Sequence, residues 1–244
     1  MQIRHRFVLL LLLVLCGQMS AQSTYKSEIY QAFTTGNMVK WKQVLDKMEK
    51  IPNKKNEQLL ELVNYQYGYI GWCLGVKREK EAATYLQKAE SHLSKLEKQH
   101  YKLSSVLAYK SLFLGFQIMQ TPIKVTLLGM RCLSYGEKAY KLDKKNAFAS
   151  IQQGNLWYYK PKILGGSVTE ALVYYLQAEK LMEAAAKEND PDWNYLNLLA
   201  TIAKSYELIG QPKKQTEYIQ KALAVEPEFS WIKSDKRPAL KVDM

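Results

Sequence analysis

The chain has 244 residues, 47% of them hydrophobic and 24% charged, with Gly 12 and Pro 7. Such a composition excludes wholesale disorder and leaves little room for long loops, while the length suffices for one sizeable core or one continuous repeat array. The formal net charge is +12, so the surface attracts anionic partners and that attraction weakens with salt.

The first element is not part of the fold. Arg4, His5 and Arg6 form a basic start, Phe7 to Cys16 is an unbroken apolar run, and Gly17 to Ala21 ends in a small residue. This is the order of a secretory signal peptide, with cleavage expected after Ala21 and Gln22 as the new N-terminus. The run is about half the ~20 residues that a membrane-spanning helix needs. A lipoprotein signal places a small residue before its lipidated cysteine, and here bulky Leu15 precedes Cys16, so lipidation at Cys16 is the less favoured alternative. Loss of Arg4 and Arg6, with no acid, takes the net charge from +12 to +10. The mature protein is expected to be periplasmic or secreted, and soluble with room for peripheral association with a membrane, with no nucleic-acid partner. In that compartment acidic proteins, anionic lipid head groups and glycans are the anions on offer.

From there the chain reads as helix nearly end to end. Breakers recur at Gly36–Asn37, Ile51–Asn53, Gly75–Lys77, Gln99–His100, Thr121–Pro122, Lys144–Asn146, Pro161–Gly166, Glu188–Pro191 and Gly210–Pro212. They mark out about ten helices, and short connections make consecutive helices antiparallel. Thr121, Asp190 and, more weakly, Gln211 stand before prolines suited to a first helical position. Ser167 followed by Glu170 reads as a capping box.

One spacing repeats: an apolar or small residue, a second four on, a third three further. It appears as Trp41, Leu45, Met48; as Ala82, Leu86, Ala89; as Cys132, Gly136, Ala139; as Ala171, Tyr175, Ala178; and as Gln215, Ile219, Ala222. That spacing keeps all three on one helical face, and a stack of helix pairs buries such a face where one pair cannot. The pattern resembles the tetratricopeptide repeat. Its best copy runs from Leu196 to Pro227, with Leu199, Ile202, Ala203 and Tyr206 in the first helix, Gly210 at the turn, and Ile219 and Ala222 in the second. Gln215 departs where that family has Ala. Copies begin at 41, 82, 132, 171 and 215, wider than the family period of about 34 residues, so helices or turns are lengthened. One insertion is visible at Lys160–Ser167. The expectation is an all-α, tetratricopeptide-like α-solenoid of about five antiparallel pairs over residues 22–228, after a signal peptide at 1–21 and before a short tail at 229–244.

Little in the sequence supports chemistry. The mature chain keeps two histidines, His92 and His100, without metal-ligand spacing, and both read as solvated helix residues. Gly-x-Ser-x-Gly is absent. Gly165–Gly166–Ser167 opens a helix but lacks the Lys-Ser/Thr ending of a phosphate-binding loop, and reads as a turn that shapes a groove. Cys73 and Cys132 lie at apolar helical positions and read as buried free thiols, although export permits a disulfide. No enzyme activity, cofactor or metal is expected.

The resemblance implies a concave groove lined by the first helix of each pair. In that register Asn155, Tyr158 and Tyr159 face the groove, as do Lys204 and Glu207 in the next pair. Ile151 stands where the family's chaperone-tail clamp has Lys, which rejects that ligand. The expected function is a non-catalytic scaffold of the cell envelope that binds a protein or peptide, with an acidic one suiting the charge. The alternative is a solute- or lipid-binding accessory of an envelope transport system.

Overall fold

The computed structural model describes residues 24–186 and 190–233; the signal-peptide assignment lies outside them. Helices account for almost every regular element and no strand occurs among the described residues. They are α1 (residues 24–35), α2 (Met38–Glu49), α3 (Asn56–Gly75), α4 (Glu79–Lys98), α5 (Leu103–Gln120), α6 (Val125–Leu142), α7 (Ala147–Tyr159), α8 (Val168–Ala185), α9 (Trp193–Leu208), α10 (Pro212–Val225) and the single turn α11 (Ser230–Lys233). Each odd-numbered helix from α1 to α9 pairs with the even one after it, and the five pairs stack in chain order into an all-α solenoid.

The sharp reversals have local causes. Gly36, Lys77, His100 and Gly210 take positive φ. Arg78, Tyr101 and Gln211 then donate backbone bonds to Cys73, Leu96 and Tyr206 five residues back. That pattern satisfies the carbonyls orphaned at a helix C-terminus. Starts are capped by side chains: Asn37 accepts from the Lys40 amide, Asn146 from those of Phe148 and Ala149, and Ser167 from that of Glu170. Two expected caps differ. Asp192, not Asp190, accepts from the Asn194 amide and α9 starts at Trp193. Pro122 opens a 3-10 turn, Pro122–Lys124, before α6 begins.

The repeated spacing packs as expected. Trp41, Leu45, Met48, Ala82, Leu86, Ala89, Ala139, Ala171, Tyr175 and Ala178 are all buried. In the last copy Ala222 is fully buried, whereas Gln215 and Ile219 are half-buried, because α10 has no following pair to cover it. Small residues set the pair spacing. A Cβ at Gly154 would sit 2.5 Å from the Tyr175 ring and 3.1 Å from the Ala171 carbonyl oxygen, so α7 and α8 approach closely only with glycine there.

The two ends of the stack meet. Trp193 of α9 lies edge-on to Phe33 of α1 and Trp41 of α2, with centroids 5.4 and 5.0 Å away. Phe229 is fully buried, and Trp231 stacks on Phe33 while its indole donates to the Phe33 carbonyl. Ser230 donates to the Thr34 carbonyl, and Lys26 pairs with Asp190 at 2.6 Å. Thus α11, in the segment expected as a tail, folds back onto α1. His92 also departs from expectation. It is 7% exposed, its Nδ1 lies 3.2 Å from Gln66 Oε1 and its Nε2 3.5 Å from Glu49. It sits three residues after Ala89 and so on the buried stripe of α4.

Candidate binding surface

The inner face is built by the odd helices, and Tyr67 of α3 marks its centre. Its ring meets Tyr109 and Phe116 of α5, Phe148 of α7 and Trp193 of α9, with centroids 5.5–6.3 Å away. Its hydroxyl is hydrogen-bonded to Asn197 of α9. A residue that touches three other odd helices lies where those helices converge. The stripes that meet here are Asn64, Tyr67 and Gly71 on α3, Tyr109 and Phe116 on α5, Phe148 on α7, and Trp193 and Asn197 on α9.

Aromatic packing fills most of this face. Phe148 stacks on Tyr109 at 4.1 Å, and the Tyr109 hydroxyl donates to Asn64 at 3.0 Å. Gly71 lies beside the Phe116 ring, and a Cβ there would meet it at 3.6 Å, an ordinary contact. At the end of α7, Tyr159 is 39% exposed.

The five residues expected at the groove divide into two groups. Tyr158 and Tyr159 pack edge-on at 4.8 Å. Tyr158 also lies against Tyr175 and is half-buried beside the Ala171–Ala178 core, so it is partly a core residue. Asn155 accepts from the Tyr175 hydroxyl at 2.8 Å and donates to Gln152; its polar atoms fasten α7 to α8. Lys204 and Glu207 pair with each other at 2.9 Å on the exposed part of α9. Glu207 also accepts from Gln215. The sequence reasoning missed Tyr67, Tyr109, Phe148 and Trp193. The signal was available as a three-and-four stripe on α3, where Asn64, Tyr67 and Gly71 share one face.

The phenols here stay protonated. Burial pushes Tyr67 up to about 12, against the lowering effect of its Asn197 bond. Desolvation raises Tyr159, and the adjacent phenols of Tyr158 and Tyr67 add to it. Burial raises Tyr109 and Tyr175 well above the ordinary phenol value too. At physiological pH the lining therefore presents neutral rings and hydroxyls. Elsewhere, burial pushes the Cys73 thiol up to about 12 and raises Cys132 too. Both are free and buried, which makes them poor nucleophiles. Among the described residues no group of three His, Cys, Asp or Glu is placed to hold a metal ion, and no helix is long and apolar enough to cross a membrane.

The Lys160–Ser167 insertion holds the open end of α7. The Ser167 amide donates to the Trp157 carbonyl at 3.0 Å, and the Lys160 ammonium lies 3.9 Å above the Trp157 ring. A Cβ on Gly166 would fall within 1.7 Å of the Lys160 carbonyl oxygen, so the turn admits glycine alone.

Fold and lining together define an all-α helical-pair solenoid with an aromatic inner face. No family model and no curated protein matches the chain. Among solved structures it is similar to the HusA haemophore from Porphyromonas gingivalis, with a TM-score of 0.62 and 15% identity over 78% of this chain and 93% of that one. BtubC (BKLC) from P. vanneervenii gives a TM-score of 0.41 and 14% identity over 89% of this chain and 82% of that one. At these identities the first likeness shows the fold alone, and the second carries no argument.

Proposed function

We propose that this is an exported, non-catalytic binding protein of tetratricopeptide-like build, whose inner face takes a flat, largely apolar solute bearing acidic groups. The carrying observation is the convergence of aromatic rings from four odd helices into one largely buried cluster, with the half-exposed Tyr159 near its Tyr67 ring. Ligand sites of this kind are mostly apolar with few polar groups. Flat rings gain contact area there without satisfying many donors. The similar fold of a haemophore supports the same ligand chemistry, with haem as its ready instance. Lys204 supplies the cation for a ligand carboxylate. Its pairing with Glu207 is 43% and 46% exposed, and such surface pairs are worth little, so a ligand can compete for it.

The peptide-binding alternative needs polar side chains free to meet a backbone. Asn155 is spent on Tyr175 and Gln152, which favours the solute. The basic, signal-bearing N-terminus supports export. The test is an absorbance titration of the mature protein, residues 22–244, with haem. Tyr159→Ala and Lys204→Ala should each weaken binding roughly tenfold, since a lost anchor costs about 1–2 kcal/mol, with helicity retained. Absence of haem binding, or unchanged affinity in both variants, would refute the proposal; tight binding of acidic peptides instead would restore the scaffold alternative.

A further inference from the structure

Two neighbouring turns of the stack are built alike. Between α5 and α6 the chain reads Thr121-Pro-Ile-Lys-Val125, and between α7 and α8 it reads Lys160-Pro-Lys-Ile-Leu164. Each holds a proline, a 3-10 turn and an isoleucine thrown almost fully into solvent: Ile123 is 86% exposed and Ile163 93%. Around them Val125, Leu127 and Leu164 are 50%, 73% and 66% exposed. The two turns lie at the same end of the stack. Ile118 near the end of α5, Leu128 in the first turn of α6 and Leu156 near the end of α7 pack into one cluster beneath them.

Along the chain the charges at these tips are of one sign, and across the fold one acid of α4 comes near, Glu90, which accepts from Gln117 near the end of α5 and lines a pocket with Arg131. No Asp or Glu occurs between Glu97 and Glu137, or between Asp143 and Glu170. The tips carry Lys124, Arg131, Lys160 and Lys162, and among the described residues none of the four pairs with a carboxylate. Glu170, the first acid after the second tip, lies in the first turn of α8, where a carboxylate complements the helix N-terminus. Ile123 and Ile163 with Val125, Leu127 and Leu164 group exposed apolar side chains at one end of the stack, and exposed apolar patches mark interaction sites. The surrounding cations select a receiving surface that is both apolar and negative.

We propose that these paired tips dock the protein onto an anionic lipid bilayer, with Ile123 and Ile163 entering the boundary between head groups and chains and the lysines resting on the head groups. This is independent of the solute proposed for the inner face, because the tips lie outside the aromatic lining. The test is co-sedimentation of the mature protein with vesicles of phosphatidylglycerol and phosphatidylcholine in equal parts, and with phosphatidylcholine alone. The wild type should bind the mixed vesicles, weaken in high salt and bind the neutral ones poorly. Ile123→Ser with Ile163→Ser should lower the partition coefficient at least about tenfold, since two buried apolar side chains are lost. Both positions are solvent-exposed, so circular dichroism should be unchanged. Val225→Ser, at an exposed apolar position at the far end of α10, should bind like wild type. No binding to mixed vesicles overturns the proposal. So does salt-sensitive adsorption that ignores the isoleucine substitutions, which would be diffuse charge attraction, and so does equal loss in the Val225 variant.

Discussion

Replacing Trp193 by Ala should cost more stability than any other single truncation on the inner face. The side chain is 4% exposed and meets Phe33, Trp41 and Tyr67 at 5.0–5.5 Å. A Cβ on Gly68 would already lie 2.8 Å from its ring. Truncating a buried tryptophan costs about 3–5 kcal/mol, including the cavity left behind. The upper half of that range applies here, because the walls of the cavity belong to α1, α2 and α3 and cannot all collapse inward while their own pairs hold them. For a domain of this size 1 kcal/mol moves Tm by about 2–4 °C, so Trp193→Ala should melt roughly 8–20 °C lower. A far-UV circular dichroism melt measures it, with Leu208→Ala, at a 43% exposed position, as a variant that should move Tm by no more than about 2 °C. A Trp193→Ala shift as small as that of Leu208→Ala would refute the idea that this indole joins the two ends of the stack.

Acid should destabilise the fold through carboxylates held below their ordinary range. Burial works against the charge of Glu49, but His92, Lys88 and Lys54 outweigh it; burial likewise opposes Asp46, and the bonds from Lys42 and Tyr85 prevail. A folded value below the unfolded one gives stability that is full above the unfolded carboxylate range of about 4 and is lost as pH falls through the folded values. Tm should therefore be flat from about pH 7 to 5 and drop below about pH 4. Glu49→Gln should lose roughly 1 kcal/mol at neutral pH and show a shallower acid slope; an unaltered slope would rule Glu49 out as a contributor. Cys73 and Cys132, buried with raised pKa values, should resist iodoacetamide in the native protein and react at once in denaturant, as followed by mass spectrometry. Rapid native labelling would show that local opening exposes them.

Much of the fold was legible because its signals are local. The spacing of Ala171, Tyr175 and Ala178 encodes a buried face within two helical turns, and Ser167 declares a helix start by its own hydroxyl. His92 was misjudged although it lies on the Ala89–Leu96 stripe, because residue type was weighed above position. At α9 the choice between Asp190 and Asp192 turned on where Pro191 falls, and proline outside the helix is as good a fit as proline inside it. The inner face was less legible. Register within one pair singles out Tyr158 and Tyr159, but the rings of Tyr67 and Trp193 that meet each other come from other pairs. Which rings meet depends on curvature accumulated over the whole stack, and no short window carries that quantity. The pairing of Phe33 with Trp193, Phe229 and Trp231 was invisible for the same reason.

That meeting of the two ends bears on when the protein can finish folding. An open repeat array can form pair by pair as the chain emerges, each pair needing only its predecessor. Here Phe33 and Thr34 wait for partners almost two hundred residues later, in the Ser230 and Trp231 bonds. Closing so long a loop must follow, not lead, the packing of the intervening pairs. A chain that folds from its N-terminus thus holds its first pair incomplete, with the Phe33 ring packed on Trp41 but lacking Trp193, Phe229 and Trp231, and seals only after α11 has arrived.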